Sequence, residues 1–399
     1  MIQLDSYATL VAATLVLLLG RSLVNRINVL RTFSIPKPVA GGLLVALVLV
    51  LLRASMDVEL RFDTAFQTPL MLAFFASIGL SADLGSLKRG GKAVFTFLLV
   101  VTGLLLMQNV LGVGLATLLG LDPLMGLLAG SITLSGGHGT GAAWGAIFSE
   151  KYGLQSATEL AMACATFGLV LGGLIGGPVA RHLVKKVQVP GAEHNSDEAP
   201  QGFEMPEMER PITTYSLIET VALLAICLKG GELLSLYLKG SALELPVFVC
   251  VLFTGVLLRN MLALLKWHEV SDREVSLLGN VSLSLFLAMA LMSLKLWDLA
   301  SLALPIFILL AVQTIAMALY ASFVTFKVMG SNYDAAVLAA GHCGFGLGAT
   351  PTAIANMQAI TQRFGPSHMA FLVVPMVGAF FIDIINAMVI KLFLAMPFL

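Results

Sequence analysis

The chain has 399 residues, of which 58% are hydrophobic and 12% charged, and its formal net charge is zero. Soluble domains carry about a quarter of their residues as charges, so the composition fits the bilayer as solvent, and a neutral chain offers no electrostatic reason to expect nucleic acid as a partner. At about 20 residues per span, this length predicts roughly ten transmembrane helices.

The first apolar run covers 6–24. Asp5 precedes it and no basic segment leads in, so it reads as a first span rather than a cleavable signal. Further runs follow near 38–53, 68–83, 93–120 and 157–183. Between the last two lies an interrupted apolar segment near 123–150, containing GLLAGSITLSGGHGTGAAWGAIF. Residues 187–212 are polar and rich in proline, and are expected to form a linker. The second half repeats the plan, with runs near 213–239, 244–265, 276–294, 300–326 and 368–396 and an interrupted segment near 333–362. Cys164, Cys227, Cys250 and Cys343 form no close CxxC pair and read as small buried residues.

The halves match in order. Ile35-Pro36 corresponds to Leu245-Pro246, Gln108 to Gln313, GGHGTGAA (136–143) to CGFGLGAT (343–350), and Tyr152-Gly153 to Phe364-Gly365. An odd number of spans per half turns the second half over. The expected fold is therefore an all-α polytopic membrane protein of two inverted-topology repeats, 1–186 and 213–399, each with five transmembrane helices and one re-entrant loop. Lysine and arginine placement gives the orientation. With the N-terminus outside, the inner side collects Arg21, Arg26, Arg31, Lys37, Lys88, Arg89, Lys92, Arg181, Lys185 and Lys186, then Arg210, Arg259, Lys266, Arg273, Lys327 and Arg363. The outer side keeps Arg53, Arg61, Lys151, Lys229, Lys239, Lys295 and Lys391. The positive-inside rule then puts both termini outside and the linker in the cytoplasm. This holds only if each interrupted segment dips in and returns on the same side.

The glycines carry the functional signal. Gly136, Gly137, Gly139 and Gly141 crowd the first segment, and Gly344, Gly346 and Gly348 the second. Alternate glycines break a helix and let backbone approach a ligand, whereas helix-packing glycines recur every four residues. Paired breaks in inverted halves point to a transport site. Helix N-termini at such breaks bind carboxylates through free N–H groups. Ser135, His138, Thr140, Thr350 and Thr352 stand at the same points, and Arg363 follows the second segment as a candidate anion partner. For a small cation the candidates are Asp383, a carboxylate deep in the last span, Asn386 on the same face, and the Ser135 and Thr350 hydroxyls. Gln108, Asn109, Gln313 and Thr314 are polar at mid-span and suit either interhelical hydrogen bonding or the site, and Glu159 stands near the outer mouth. His138, His342 and Cys343 have no metal-ligand spacing, and no catalytic triad or nucleotide loop stands out, so neither an enzyme nor a cofactor is expected.

At these residues the chain resembles the bacterial sodium/glutamate symporter family. The resembling stretches are LDPLMGLLAGSITLSGGHGTGAAW (121–144), MACATFGLVLGGLIGGPVAR (162–181), YDAAVLAAGHCGFGLGATPTAIANMQAIT (333–361) and SHMAFLVVPMVGAFFID (367–383). The resemblance implies inward carriage of L-glutamate with sodium across the bacterial cytoplasmic (inner) membrane. It also implies two re-entrant loops that meet at mid-membrane, and a homodimer with an elevator-like moving domain. The family's glycine signature falls on Gly136, Gly137, Gly139, Gly344 and Gly346. The residues alone reach only a carrier for a small anionic solute. They leave open a channel for a small anion, or a carrier of another dicarboxylate coupled to protons.

Overall fold

The computed structural model describes residues 2–33, 35–56, 60–85, 91–187, 212–241, 244–294 and 302–396. Residues 188–211 of the expected linker lie outside them, as do Lys88, Arg89, Arg210 and Lys295 of the charge tally. The first half runs β1 (Ile2–Gln3), α1 (Ser6–Arg26), α2 (Asn28–Thr32), α3 (Lys37–Met56), β2 (Leu60–Arg61), α4 (Gln67–Ser81), α5 (Gly91–Leu118), α6 (Pro123–Leu127), α7 (Gly137–Tyr152) and α8 (Ala157–Val184). The second half runs α9 (Thr214–Leu238), α10 (Val247–Leu265), α11 (Asp272–Met292), α12 (Ala303–Val328), α13 (Tyr333–Leu347), α14 (Thr350–Phe364), α15 (His368–Met376) and α16 (Ile382–Leu394). Among the described residues the helical expectation is relaxed only at β1 and β2, which pair in parallel over two residues each.

Local chemistry sets the helix limits. Asp5 caps α1 by accepting from Ala8 N at 2.7 Å. Thr213 and Ser216 form a reciprocal capping box on α9. Asp122 caps α6 ahead of Pro123, and Asn332 caps α13. Gly153 ends α7 in the left-handed region at φ 70°.

Among the described residues, seven helices are long and apolar enough to cross a membrane: α1, α5, α8, α9, α10, α11 and α12. The remaining expected spans are shorter or interrupted. Helix α4 has 15 residues. The last span is divided by a widened π-type turn at Val377–Phe381, directly after Pro375. Pro375 has no N–H to continue the ladder, and the extra residue in the turn absorbs the fault. Leucine and valine side chains along α1 and α9 are exposed (Val11, Leu15, Leu18, Val221, Leu233), as a lipid-facing surface requires.

The helices pack in two groups. In one, α4 lies between α10 and α11, α3 packs on α1 and α11, and α9 packs on α10. In the other, α8 lies along α7, α13 and α14, while α5 contacts α6, α12 and α16. The first half contributes α1, α3 and α4 to the first group and the second half α9, α10 and α11, while the later elements of each half form the second. The groups meet where α7 touches α11 and α16 touches α10.

Candidate functional site

Two helix breaks face each other in the second group. The first lies at Ser135–Gly136, between a π-type turn (Leu128–Ile132) and α7. Gly137 takes φ +68°, which a side chain would resist. The second lies at Gly348–Ala349, between α13 and α14. A Cβ on Gly137 would sit 3.5 Å from the Gly348 carbonyl oxygen, so the two breaks are in backbone contact.

Gln108 of α5 ties the breaks together. Its Nε2 donates to Gly346 O at 2.7 Å, and its Oε1 accepts from the Ser135 hydroxyl at 2.7 Å. Ser135 Oγ also lies 3.2 Å from Gly346 O. Gln313 of α12 donates from Nε2 to Gln108 O at 2.7 Å, so the two mid-span glutamines of the two halves bond each other across the site.

The neighbouring residue, Asn109, engages the first segment further back. Gly130 departs from helical geometry (φ −104°, ψ −137°), which turns the Ser131 amide toward Asn109 Oδ1 at 2.9 Å. Ser131 O in turn accepts from Asn386 Nδ2 of α16 at 2.9 Å. Asp383 sits one turn before Asn386, directly after the π-type turn. Thr350, first residue of α14, donates to Gly378 O of that same turn at 2.7 Å. Thus both breaks, α5 and α16 converge.

Several buried polar atoms here have no hydrogen-bond partner: Asn109 Nδ2, Ser131 Oγ, Gln313 Oε1, Thr352 Oγ1 and Asn386 Oδ1. Buried polar groups are nearly always paired, so such a cluster marks a place for a polar ligand, an ion or water.

The other candidates take distinct places. Gly139, in the first turn of α7, lies against the first helix group, with a Cβ position 2.6 Å from Phe74 Cε1. Thr140 is buried next to Gly136. His138 Nε2 lies 3.0 Å from Thr166 Oγ1, whose own proton goes to Met162 O, so Nε2 is the donor. Helix α8 holds the second hairpin closely. Cβ atoms on Gly168 and Gly172 would meet Leu347 O at 2.3 Å and Cys343 O at 3.1 Å, and Asn356 Nδ2 donates to Gly172 O at 2.9 Å. The arms α13 and α14 lie side by side, and Tyr333 OH donates to Gly365 O at the open end.

Arg363 is not brought to the breaks. It is exposed in the last turn of α14, stacked over Phe364, with 13 residues of helix, about 20 Å, separating it from Thr350. Sequence reasoning missed Thr166, Ser131, Asn356 and the Gly168/Gly172/Gly176 row. That row had a signal, since its four-residue spacing is the mark of close helix packing.

The family model for the sodium/glutamate symporter matches residues 2–366. The sodium/glutamate symporter of Escherichia coli (strain K12) is 68% identical over 397 residues, covering 100% of this chain and 99% of the relative. That of Haemophilus influenzae is 55% identical over 390 residues, covering 97% and 96%. A solved sodium proton antiporter from Methanocaldococcus jannaschii covers 97% of this chain and 96% of its own at 15% identity, with a TM-score of 0.41, a likeness too loose to carry an argument.

Proposed function

The chain belongs to the sodium/glutamate symporter family, and on that premise we propose that it carries L-glutamate inward with sodium across the bacterial inner membrane by alternating access. The observation that carries this reading is the meeting of two helix breaks at Gly137 and Gly348, ringed by unpartnered buried polar atoms.

Each break offers both signs of partial charge. The N-terminal N–H groups of α7 (Gly137, His138, Gly139) and of α14 (Thr350, Thr352) receive the substrate carboxylates. Oxygens serve sodium: Asp383, Asn386 Oδ1, and the hydroxyls of Ser135 and Thr350. Those hydroxyls donate their protons to Gln108 Oε1 and Gly378 O, which leaves lone pairs free for a cation. Sodium bound there neutralises the Asp383 charge and steadies the breaks, and glutamate bound at the N–H ends does the same for sodium. Each ligand then tightens the other by an equal factor.

The same order of elements in both halves supports an inverted repeat, and the hairpin of α13 and α14 supports a re-entrant loop with both ends on one side. In this reading both termini are periplasmic. The group of α1, α3, α4, α9, α10 and α11 is the fixed scaffold of a homodimer, and the group bearing the breaks moves against it.

Labelled L-glutamate uptake by proteoliposomes under imposed gradients tests the reading. Saturable uptake driven by inward sodium, with counterflow exchange, is expected. Uptake driven by a proton gradient without sodium would overturn sodium coupling, and flux without saturation or counterflow would make the protein a channel.

A further inference from the structure

We infer that the His138 imidazole accepts a hydrogen bond from the α-ammonium of the substrate, and so selects an amino acid over a plain dicarboxylate at the breaks. The inference rests on the functional reading above for the identity of the ligand, in which the helix N-termini take the carboxylates and leave the ammonium unassigned.

His138 stands in the first turn of α7, next to Gly137, whose Cβ position is 3.5 Å from the Gly348 carbonyl oxygen. The breaks are open at this point. Gly136 and Gly137 on one side, and Ala349 and Thr350 on the other, are partly accessible, while 128–135 and 335–348 behind them are buried. A ligand reaching the two helix N-termini therefore meets the side chain of His138 as well as its backbone.

A neighbour on α8 fixes the tautomer. His138 Nε2 lies 3.0 Å from Thr166 Oγ1, and the Thr166 hydroxyl donates to Met162 O at 2.8 Å, so Nε2 carries the ring proton. His138 is 8% exposed, and no carboxylate bonds its ring among the described residues. An unpaired buried charge is costly, so the ring is neutral and Nδ1 offers a lone pair. Nδ1 has no hydrogen-bond partner among the described residues. It keeps accessible surface, where the unpartnered nitrogen of the other buried histidine, His342 Nε2, has none.

An accessible acceptor without a donor, beside a ligand site, calls for a donor on the ligand, and a charged donor makes the stronger bond. A carboxylate is repelled by that lone pair. Sodium is better served by the harder oxygens of Asp383, Asn386, Ser135 and Thr350 than by an imidazole. The α-ammonium is the group that remains. In the same reading the His138 N–H, at the positive end of α7, receives a carboxylate. One residue then grips both polar substituents of the substrate's α-carbon.

The test is labelled L-glutamate uptake by proteoliposomes holding the full chain, at saturating sodium, with glutarate as competitor. Glutarate is the same dicarboxylate without the ammonium, and its wild-type Ki is expected about tenfold or more above the glutamate KM. His138→Leu keeps bulk and loses the acceptor, so it should raise glutamate KM about tenfold and leave glutarate Ki within about 2-fold. His138→Asn returns an acceptor oxygen near the place of Nδ1 and should hold KM within about 3-fold of wild type. Thr166 is a positioning residue, acting through the ring. Thr166→Val frees the tautomer and should raise KM about 3-fold, again without moving glutarate Ki. A His138→Leu chain that loses its thermal transition in detergent leaves the decision to Thr166→Val, whose ratio of glutarate Ki to glutamate KM must fall about 3-fold. Equal weakening of both ligands would make the histidine a structural one and overturn the inference. Wild-type KM in both His138→Leu and Thr166→Val overturns it too, as does glutarate that competes no better against glutamate in His138→Leu than in wild type. A wild-type chain without sodium-dependent glutamate uptake overturns the functional reading and this one with it.

Discussion

Replacing Gln108 with leucine tests whether the contact between the two breaks matters for binding. The side chain is 1% exposed and makes two neutral hydrogen bonds of 2.7 Å, one to Gly346 O and one from Ser135 Oγ. Leucine fills similar space and removes both. Ser135 Oγ already lies 3.2 Å from Gly346 O, so it can turn fully to that carbonyl and leave no orphan. Two hydrogen bonds are then replaced by one, a net loss of about 1 kcal/mol, without the larger cost of an unsatisfied buried group. If that energy favours the binding-competent arrangement of the breaks, apparent glutamate affinity falls by up to about 5-fold. The assay is glutamate uptake across a concentration series at saturating sodium, with thermal unfolding in detergent as the control for folding. Ser135→Ala leaves the buried Gln108 Oε1 without its donor and should cost more, about 1–3 kcal/mol or about tenfold. A Gln108→Leu protein with wild-type KM would show that the glutamine only fills space and that the breaks are held by other means.

Other substitutions separate the parts of the account. Asp383→Asn keeps the size and loses the charge, so half-saturating sodium should rise by about tenfold or more while the preference among dicarboxylates holds; unchanged sodium dependence in flux assays would remove Asp383 from the cation site. Gly168→Ala drives a Cβ to within 2.3 Å of Leu347 O, a backbone atom of the second hairpin that cannot turn aside. It should destabilise by about 1–3 kcal/mol and lower the thermal midpoint in detergent, whereas an unshifted midpoint would mean that α8 does not grip the hairpin. Arg363→Gln should leave glutamate KM within about 2-fold of wild type, because about 20 Å of helix separates it from the break; a tenfold rise would return the guanidinium to the substrate.

The sequence disclosed the site unevenly, and the reasons are physical. Glycine density at 136–141 and 344–348 located both breaks to within a few residues, because glycine weakens a helix and allows the φ that Gly137 takes, although α7 continues through Gly139 and Gly141 and α13 through Gly344 and Gly346. Mid-span Gln108 and Gln313 stood out because an amide in hydrocarbon needs a partner, though not which one; the structure gives them to each other and to Gly346. The disturbance at Gly130 and Ser131 was illegible. AGSITL reads as ordinary apolar helix, and its departure from helical geometry is met by Asn109, 22 residues away in sequence. Arg363 misled for the opposite reason. It stands close to the glycines in the sequence, but a continuous helical arm carries it to the far end of the hairpin. The four cysteines are free and buried, as their apolar surroundings implied.

The most direct test of the central claim is calorimetric titration of L-glutamate into purified protein at a series of sodium concentrations, with the reverse titration at a series of glutamate concentrations. The account predicts that glutamate binding tightens by about tenfold or more as sodium rises, that sodium binding tightens by the same factor with glutamate, and that Asp383→Asn shifts both effects to about tenfold or more higher sodium. Glutamate affinity that is the same with and without sodium in the wild-type protein would contradict it.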